Sequence, residues 1–162
     1  MLSIEDIYHE IGKNIFICPL DTKNFRDNSI DLTASKFAWT PDGVNLFNEK
    51  ESTIIVPKRK TACILTKEAI YVSEKIGGTF HSRVSLVKQG FGHIGTMLDP
   101  KYCGQSLIML HNTTDSDLIL KEGERIVSLV FYYLSTPIHE KTLSTPPSHS
   151  NKVAQMDLDN QY

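Results

Sequence analysis

A glycine-rich hexapeptide in the middle of the chain has residue types that bind phosphate groups. Gly90–Gly95 reads GFGHIG and satisfies G-x-G-x-x-G, the pattern that brings backbone close to the pyrophosphate of a dinucleotide. That chemistry needs a strand before the glycines and a helix after them, so that the phosphate meets the helix N-terminus. Here Pro100 follows within a few residues and stops such a helix. The sequence therefore argues against a dinucleotide site.

The cysteines and histidines are spaced for neither a zinc site nor a disulfide framework. Cys18, Cys63 and Cys103 contain no C-x-x-C pair and are expected to be buried or half-buried thiols. Zinc-dependent deamination needs H-x-E followed by P-C-x-x-C, and neither half of this pattern occurs. The six histidines are scattered along the chain. We therefore expect no zinc.

The elements that position any site are predicted to be mostly short strands. A short amphipathic helix is predicted to begin after Ser3, a suitable N-cap, and to end at Gly12. Gly77-Gly78 predicts a turn. Many short strands without intervening helices indicate an antiparallel sandwich or barrel. Runs rich in β-branched and aromatic residues predict strands at Asn14–Pro19, Ser29–Ala38, Ser52–Val56, Ala62–Thr66, Ala69–Val72, Ser106–Leu110, Asp117–Leu120 and Ile126–Leu134.

Length, charge and hydropathy exclude several classes of protein. The 162 residues suit one domain, and 17 Lys+Arg against 19 Asp+Glu give a formal charge of -2, which argues against a non-specific nucleic-acid binder. No apolar run reaches the about 18 residues of a transmembrane helix. The acidic N-terminus, MLSIEDIYHEIGK, is unlike a secretory signal. We expect a cytoplasmic protein that binds neither nucleic acid nor membrane.

The composition changes near the C-terminus. From Ser135 the chain reads STPIHEKTLSTPPSHSNK, which is too polar and proline-rich to form a packed element. We therefore predict one domain over residues 1–134 and a polar, Pro/Ser-rich tail over residues 135–162. The tail is expected to be mobile unless a neighbouring subunit orders it.

Several groups of residues, in the same order, resemble the dCTP deaminase/dUTPase superfamily. The resemblance covers about residues 2–134. It implies a mainly β subunit, a distorted jelly-roll or β-sandwich of the trimeric dUTPase-like type with a short N-terminal helix. It also implies a homotrimer with its sites between subunits. The residues that carry it are LSIEDI at the start, Ile15–Pro19, Ser29–Leu32, Thr66–Glu68, Arg83–Phe91, Leu98–Gly104, Asn112 and the pattern L-x-x-G-x-x-I at Leu120–Ile126.

The deaminase branch implied by this resemblance uses groups that this chain has replaced. There a glutamate ten residues after the I-D-P aspartate moves protons, assisted by a serine and an arginine. The matching positions are Met109, Val84 and Lys88. Methionine carries no proton at any pH, valine has no hydroxyl, and lysine lacks the planar fork of arginine. We predict that the deaminase catalytic residues, and with them deamination, are lost.

The diphosphatase branch needs fewer groups, and this chain retains several of them. The resemblance implies that Asp99 is the catalytic aspartate that orients or deprotonates water. It implies that Tyr102 binds the deoxyribose of the substrate by stacking. It further implies that Arg83, Ser85 and Lys88 bind the substrate phosphates.

Magnesium is the cofactor that the resemblance implies, bound together with the nucleotide phosphates. Asp31 matches the first-motif aspartate and is expected to bind this metal through water. The family's glutamine near the end of the last strand is Ser128 here. No glycine follows Gly123, so the glycine-rich C-terminal arm is missing. Without that arm, water exclusion and phosphate clamping are expected to be weaker.

Each retained residue also has a structural alternative. Asp99 with Pro100 suits the start of a turn, and Asp31 suits the end of a strand. Arg83 suits an ion pair at a trimer interface, and Tyr102 suits the core. The sequence leaves these alternatives open.

Two functions follow from this reading. The first hypothesis is that a trimer binds a pyrimidine deoxynucleoside triphosphate, dUTP or dCTP, with weak or absent catalysis, because scaffold residues are retained and chemical residues are replaced. The alternative is an active magnesium-dependent dUTP/dCTP diphosphatase that uses Asp99. A protein-interaction role of the inherited scaffold ranks behind both.

Overall fold

The fold is mainly β with two short helices. The computed structural model describes residues 1–138. Helix α1 spans Ile4–Glu10, a 3-10 turn spans Thr22–Asn24, and helix α2 spans Val84–Gln89. Within residues 1–138 the strands are β1 (Ile15–Cys18), β2 (Phe25–Arg26), β3 (Ser29–Trp39), β4 (Phe47–Asn48), β5 (Thr53–Val56), β6 (Thr61–Val72), β7 (Ile76–Ser82), β8 (Phe91–Ile94), β9 (Met97–Leu98), β10 (Cys103–Asn112), β11 (Leu118–Lys121) and β12 (Arg125–Tyr133).

These strands form two antiparallel sheets. The larger sheet has the order β8-β10-β6-β3-β12-β7-β9, with β1 paired to β6 and β2 to β3, and the smaller has the order β11-β5-β4. The long strand β3 changes partner along its length. Asp31 lies opposite Ser128 of β12, whereas Ala38 lies opposite Ile64 of β6. The larger sheet therefore curls, and the predicted mainly β antiparallel fold is confirmed.

Helix α1 begins where the sequence predicts. The Ser3 hydroxyl accepts a hydrogen bond from the Asp6 N–H, and the Asp6 carboxylate accepts one from the Ser3 N–H. This reciprocal capping box satisfies two backbone donors that the helix itself cannot satisfy. Ile7 is fully buried and attaches the helix to the core. The helix ends at Glu10, two residues before Gly12.

Glu10 joins the end of α1 to the end of β12. Its carboxylate accepts hydrogen bonds from the Asn14 amide and the Tyr133 hydroxyl. Burial raises the pKa of Glu10, but these two hydrogen bonds outweigh burial, and the net shift of the pKa is downward. The bond to Glu10 raises the pKa of Tyr133 to about 12. We call Glu10, Asn14 and Tyr133 the α1 clamp.

The turn predicted at Gly77-Gly78 is wrong, because both glycines lie inside β7. A Cβ on Gly78 would lie 2.8 Å from the Val130 carbonyl oxygen, and one on Gly77 would lie 3.0 Å from the Tyr132 ring. Glycines are needed at these two positions because residues of the adjacent strand β12 approach the backbone of β7 closely.

The apolar side chains form a main core and a smaller cluster. The main core includes Ile30, Leu32, Leu98 and Phe131. The smaller cluster is named here the Trp39 cluster. It consists of the buried residues Trp39, Cys63 and Leu65, with the partly buried Phe37, Leu107 and Met109 packed against them. Cys63 is thus buried as predicted, but the prediction of burial is wrong for Cys18 and Cys103, which are exposed.

Most of the predicted tail, residues 139–162, lies outside the described residues. The predicted boundary after residue 134 therefore stays a prediction. Within residues 1–138, no helix has both the length and the apolar character needed to cross a membrane.

Candidate functional site

Three adjacent strands place polar side chains in one row across the larger sheet. Asp31 of β3 pairs with Ser128 of β12, and Ser128 pairs with His81 of β7. Directly opposite residues project from the same face of a sheet. The Ser128 hydroxyl donates to Asp31 Oδ1 at 2.6 Å. Only 2% of the Asp31 side chain is exposed, so this row contains a buried carboxylate.

Three arginines surround the other oxygen of this carboxylate. Arg26 places both Nε and Nη2 2.9 Å from Asp31 Oδ2. Arg83 Nε lies 3.4 Å from this oxygen, and Arg125 Nη1 lies 3.9 Å from it. Three positive charges against one negative charge leave a net charge of +2. We call these four residues the arginine cluster, and its excess of guanidinium groups suits an anion with several oxygens, such as a phosphate.

Arg83 connects the arginine cluster to helix α2, whose N-cap it forms. Its Nη1 donates to the Arg125 carbonyl at 3.0 Å, and its Nε faces Asp31. Within the part of the chain described, these contacts leave Nη2 for a ligand. Ser85 and Lys88 are exposed and lie one turn apart on α2. The structure thus places all three predicted phosphate-binding residues at the end of β7.

Arg26, Arg125 and Glu68 are site residues that the sequence reading did not assign. Arg26 lies on β2, which pairs with the start of β3, and Arg125 begins β12. Glu68 is buried, and its carboxylate accepts hydrogen bonds from the Thr33 N–H at 2.9 Å and the Thr33 hydroxyl at 2.7 Å. Glu68 therefore holds β3 in place at Thr33, which is two residues after Asp31. The motif T-K-E was a signal for Glu68, but local sequence carried no such signal for the arginines.

Asp99 lies in an exposed turn after β9. Among residues 1–138 its carboxylate has neither a hydrogen bond nor an ion pair, and only its backbone carbonyl is bonded, to the Tyr102 N–H at 3.2 Å. Lys101 has φ +63°, in the left-handed region. Leu98–Gly104 resembles the family block I-D-P-G-[WY]-x-G, which has a glycine at this position, and glycine adopts the left-handed region without strain. We call residues 99–102 the Asp99 loop, and its carboxylate is available to water.

The side chain of Tyr102 is less accessible to a ligand than that of Asp99. The residue is partly buried and packs against the main core, and its hydroxyl donates to the Gln105 carbonyl. This arrangement agrees with the core-aromatic alternative. Its predicted stacking against a deoxyribose stays a prediction.

One chain does not bring the Asp99 loop and the arginine cluster together. Leu98, the residue before Asp99, lies opposite Gly78 of β7. Arg83 lies five residues beyond Gly78, which corresponds to about 16 Å of extended strand. In one chain, these two groups therefore lie near opposite ends of β7.

Met109 lies in apolar surroundings. It faces Cys63 across the β10–β6 pair and belongs to the Trp39 cluster. The deaminase branch places its proton-transferring glutamate at this position. An ionised carboxylate there would lose hydration among apolar side chains.

Two histidines lie near the arginine cluster without adding a buried positive charge. His81 is exposed, and its Nε2 lies 2.9 Å from the Thr79 hydroxyl. Burial, and then the positive charge of His81, lowers the pKa of His93. Among the described side chains, His93 Nε2 is buried without a hydrogen-bond partner. His93 is therefore neutral at pH 7.

The two predicted acidic residues differ in their fit to magnesium. Asp31 is enclosed by cations, and its buried carboxylate leaves little room for the waters that Mg²⁺ retains. Its surroundings therefore do not support the predicted magnesium role. Asp99 is exposed and suits a magnesium ion that also binds substrate phosphates. Residues 1–138 contain no group of three or more His, Cys, Asp or Glu arranged to bind a metal.

Comparison with known proteins gives a consistent result. A family model described as dCTP deaminase-like matches residues 1–134. A dCTP deaminase of Pyrococcus abyssi is 32% identical over 128 residues, which are 79% of this chain and 82% of that protein.

Solved structures of low sequence identity show the same fold. The 2'-deoxycytidine 5'-triphosphate deaminase of Agrobacterium tumefaciens matches with a TM-score of 0.66 at 13% identity, over 86% of this chain and 50% of that one. The dUTPase of EIAV matches with a TM-score of 0.55 at 21% identity, over 80% of this chain and 98% of that one. The predicted dUTPase-like type of β fold is thereby confirmed.

Proposed function

The chain belongs to the dCTP deaminase-like family, and on that premise we propose that it hydrolyses a pyrimidine deoxynucleoside triphosphate, dUTP or dCTP, to the monophosphate and pyrophosphate. The observation that supports this proposal is the exposed carboxylate of Asp99, which makes no hydrogen bond or ion pair within residues 1–138. A carboxylate in this state accepts a proton from water. The diphosphatase reaction needs this one acid–base group.

Each retained residue has a role in the proposed reaction. Asp99 orients a water molecule and takes its proton as the oxygen attacks the α-phosphorus. The bond from that phosphorus to the bridging oxygen breaks, and pyrophosphate leaves. Arg83, Ser85 and Lys88 bind the phosphates, and Tyr102 contacts the deoxyribose. Asp99 would hold magnesium together with the substrate phosphates, and the metal would supply positive charge for the leaving group.

We propose that the active assembly is a homotrimer. The separation of about 16 Å along β7 supports this, because a site formed between two subunits does not have to span that distance within one chain. Val84 and Val87 on α2 are 69% and 54% exposed. A neighbouring subunit would remove these apolar side chains from water. Light scattering is expected to give about three times the chain mass of 18.3 kDa, whereas a monomer at micromolar concentration would contradict this proposal.

We propose further that deamination is lost. The apolar surroundings of Met109 support this, since a proton carrier there would need other polar groups around it. Val84 offers no hydroxyl beside the proposed phosphate site. The expected result is that dCTP yields no ammonia.

Binding of dUTP or dCTP without turnover is the second candidate. The Ser128 hydroxyl, at the position of the family's glutamine, donates to Asp31 and is thereby occupied. If the missing polar groups are indispensable, the chain still binds the triphosphate and releases no product.

The decisive experiment measures pyrophosphate and ammonia from dUTP, dCTP and dTTP, with wild type and Asp99→Asn. The diphosphatase proposal expects pyrophosphate from dUTP or dCTP, reduced about 10²–10⁴-fold by Asp99→Asn. Calorimetry with non-hydrolysable analogues distinguishes the second candidate, which expects binding without product. Absence of binding would leave a protein-interaction role, and ammonia from dCTP would show that the family's deaminase route survives.

A further inference from the structure

Arg26 lies where a cation bound to Asp31 would have to lie. Two of its nitrogens are 2.9 Å from Asp31 Oδ2. Its Nη1 donates to the carbonyls of Lys23 at 3.2 Å and Phe25 at 2.9 Å. The guanidinium group is therefore fixed by backbone on one side and by the carboxylate on the other. We infer that Arg26 takes the place of a divalent cation at Asp31, and that this carboxylate is closed to magnesium.

The rest of the arginine cluster excludes a metal on electrostatic grounds. A divalent ion within bonding distance of Asp31 Oδ2 would lie close to the guanidinium groups of Arg83 and Arg125 as well as Arg26. Like charges at these separations repel, most strongly beside the buried Asp31 carboxylate, where little water screens them. The other carboxylate oxygen, Oδ1, already accepts the Ser128 hydroxyl. Neither oxygen of the carboxylate is open to a cation.

The burial of the Asp31 side chain also argues against a bound magnesium ion. Mg²⁺ dehydrates reluctantly and usually keeps several waters in its octahedral shell. Only 2% of the Asp31 side chain is exposed, which leaves no space for a hydrated ion. Asp31 is thus a positioning residue that orients guanidinium groups, and it does so without metal. This inference does not depend on whether the chain turns over a nucleotide.

The first test uses Mn²⁺ alone as a paramagnetic probe of the full-length wild-type chain. Ile30 and Leu32 flank Asp31, and their methyl signals report a metal ion at this carboxylate. At equimolar Mn²⁺, both signals are expected to broaden less than those of Leu98, which lies beside the exposed Asp99. Selective loss of both signals would overturn the inference, and this measurement needs no variant that must fold.

The second test is a double-mutant cycle on thermal stability. Asp31→Asn leaves three guanidinium groups facing one another, and it is expected to lower the Tm by on the order of 10 °C. Adding Arg26→Gln removes one of these unpaired charges, so the double variant is expected to recover part of the loss. Losses that merely add would contradict a direct pairing of Arg26 with Asp31.

The matched control is an ion pair of the same chemistry on the surface. Arg59 Nε lies 2.8 Å from Asp115 Oδ1, with 60% and 85% of the two side chains exposed. The cycle of Arg59→Gln and Asp115→Asn is expected to show no coupling, because exposed pairs contribute little. Arg26→Lys, which keeps the charge and loses the fork, is expected to lower the Tm less than Arg26→Gln does. An equal loss for both substitutions would overturn the assigned role of the charge.

Discussion

Asp31 and Asp99 lie near opposite ends of β7, one buried among three arginines and the other exposed in a turn. Both are aspartates in short motifs shared with the family. The first has its two oxygens occupied, so its charge contributes to the arrangement of neighbouring side chains. The second has no side-chain partner within residues 1–138, so its charge is available to water and to a ligand. The comparison teaches that the bonding partners of a carboxylate decide whether its charge holds the fold together or stays open to a ligand.

The largest expected effect concerns the separation of Asp99 and Arg83, which lie near opposite ends of β7. Asp99→Asn and Arg83→Gln are each expected to be inactive in pyrophosphate release. Trimers assembled from an equal mixture of the two are expected to regain about a quarter of wild-type activity, because some sites draw both intact residues from different subunits. Refolding the mixture and assaying dUTP hydrolysis measures this.

The control for that experiment mixes two variants with the same lesion. Asp99→Asn refolded together with Asp99→Ala cannot form an intact site in any trimer. If the first mixture is as inactive as this control, Asp99 and Arg83 do not act across a subunit boundary.

The second prediction compares how substitutions near the two ends of β7 change the free energy of unfolding. Ser128→Ala removes a hydrogen bond to the buried Asp31 carboxylate, and the free energy of unfolding is expected to fall by about 1–3 kcal/mol. Asp99→Asn changes an exposed side chain and is expected to leave that free energy unchanged. Urea unfolding of both variants checks this. A larger loss for Asp99→Asn would reverse the assignment of the two carboxylates.

The third prediction concerns the backbone of the Asp99 loop. Lys101 has φ +63°, which strains a residue with a Cβ. Lys101→Gly is expected to raise the free energy of unfolding by up to about 1 kcal/mol, the relief of strain being partly offset by the greater freedom of glycine in the unfolded chain. Lys101→Ala keeps the Cβ and removes the charge, so it is the matched control and is expected to give no gain.

The smallest expected effect concerns pH and the α1 clamp, which joins β12 near the Asp99 loop. The pKa of Tyr133 is raised from 10.0 to about 12, so between these values the unfolded chain releases this proton while the folded chain retains it. The Tyr133 contribution to stability is therefore present below pH 10 and is lost as the pH rises to about 12. Urea midpoints across this range are expected to fall less steeply in Tyr133→Phe than in wild type.

One control variant bears on that pH dependence. Arg26→Gln leaves Glu10 and Tyr133 in place, so it is expected to keep the wild-type slope. Equal slopes in Tyr133→Phe and wild type would mean that the α1 clamp does not hold the tyrosine proton.

Helices and strands were predictable from the sequence where neighbouring residues alone determine them. Helix α1 was found because Ser3 and the acidic first turn are sufficient to start a helix. Strand β6 was predicted as two pieces, since Lys67 and Glu68 interrupt an apolar run. The strand is continuous because Glu68 is buried against Thr33 of β3, a partner that no local pattern reveals.

The candidate site was predictable only in part, for a related reason. Resemblance identified Asp31, Arg83 and Asp99 through their motifs. It did not show that Arg26 and Arg125 converge on Asp31, because that depends on how β2 and β12 pair with β3. It also did not show that β7 separates Asp99 from Arg83.

The change of partner along β3 affects how the molecule opens. Its first half is paired with β12 and its second half with β6, and most of its residues are buried. If the pairing of β3 with either β12 or β6 is lost, the other pairing is therefore disturbed as well, because both depend on β3. Amide protons of β3 should exchange with solvent only through global unfolding, in one cooperative step shared by both halves.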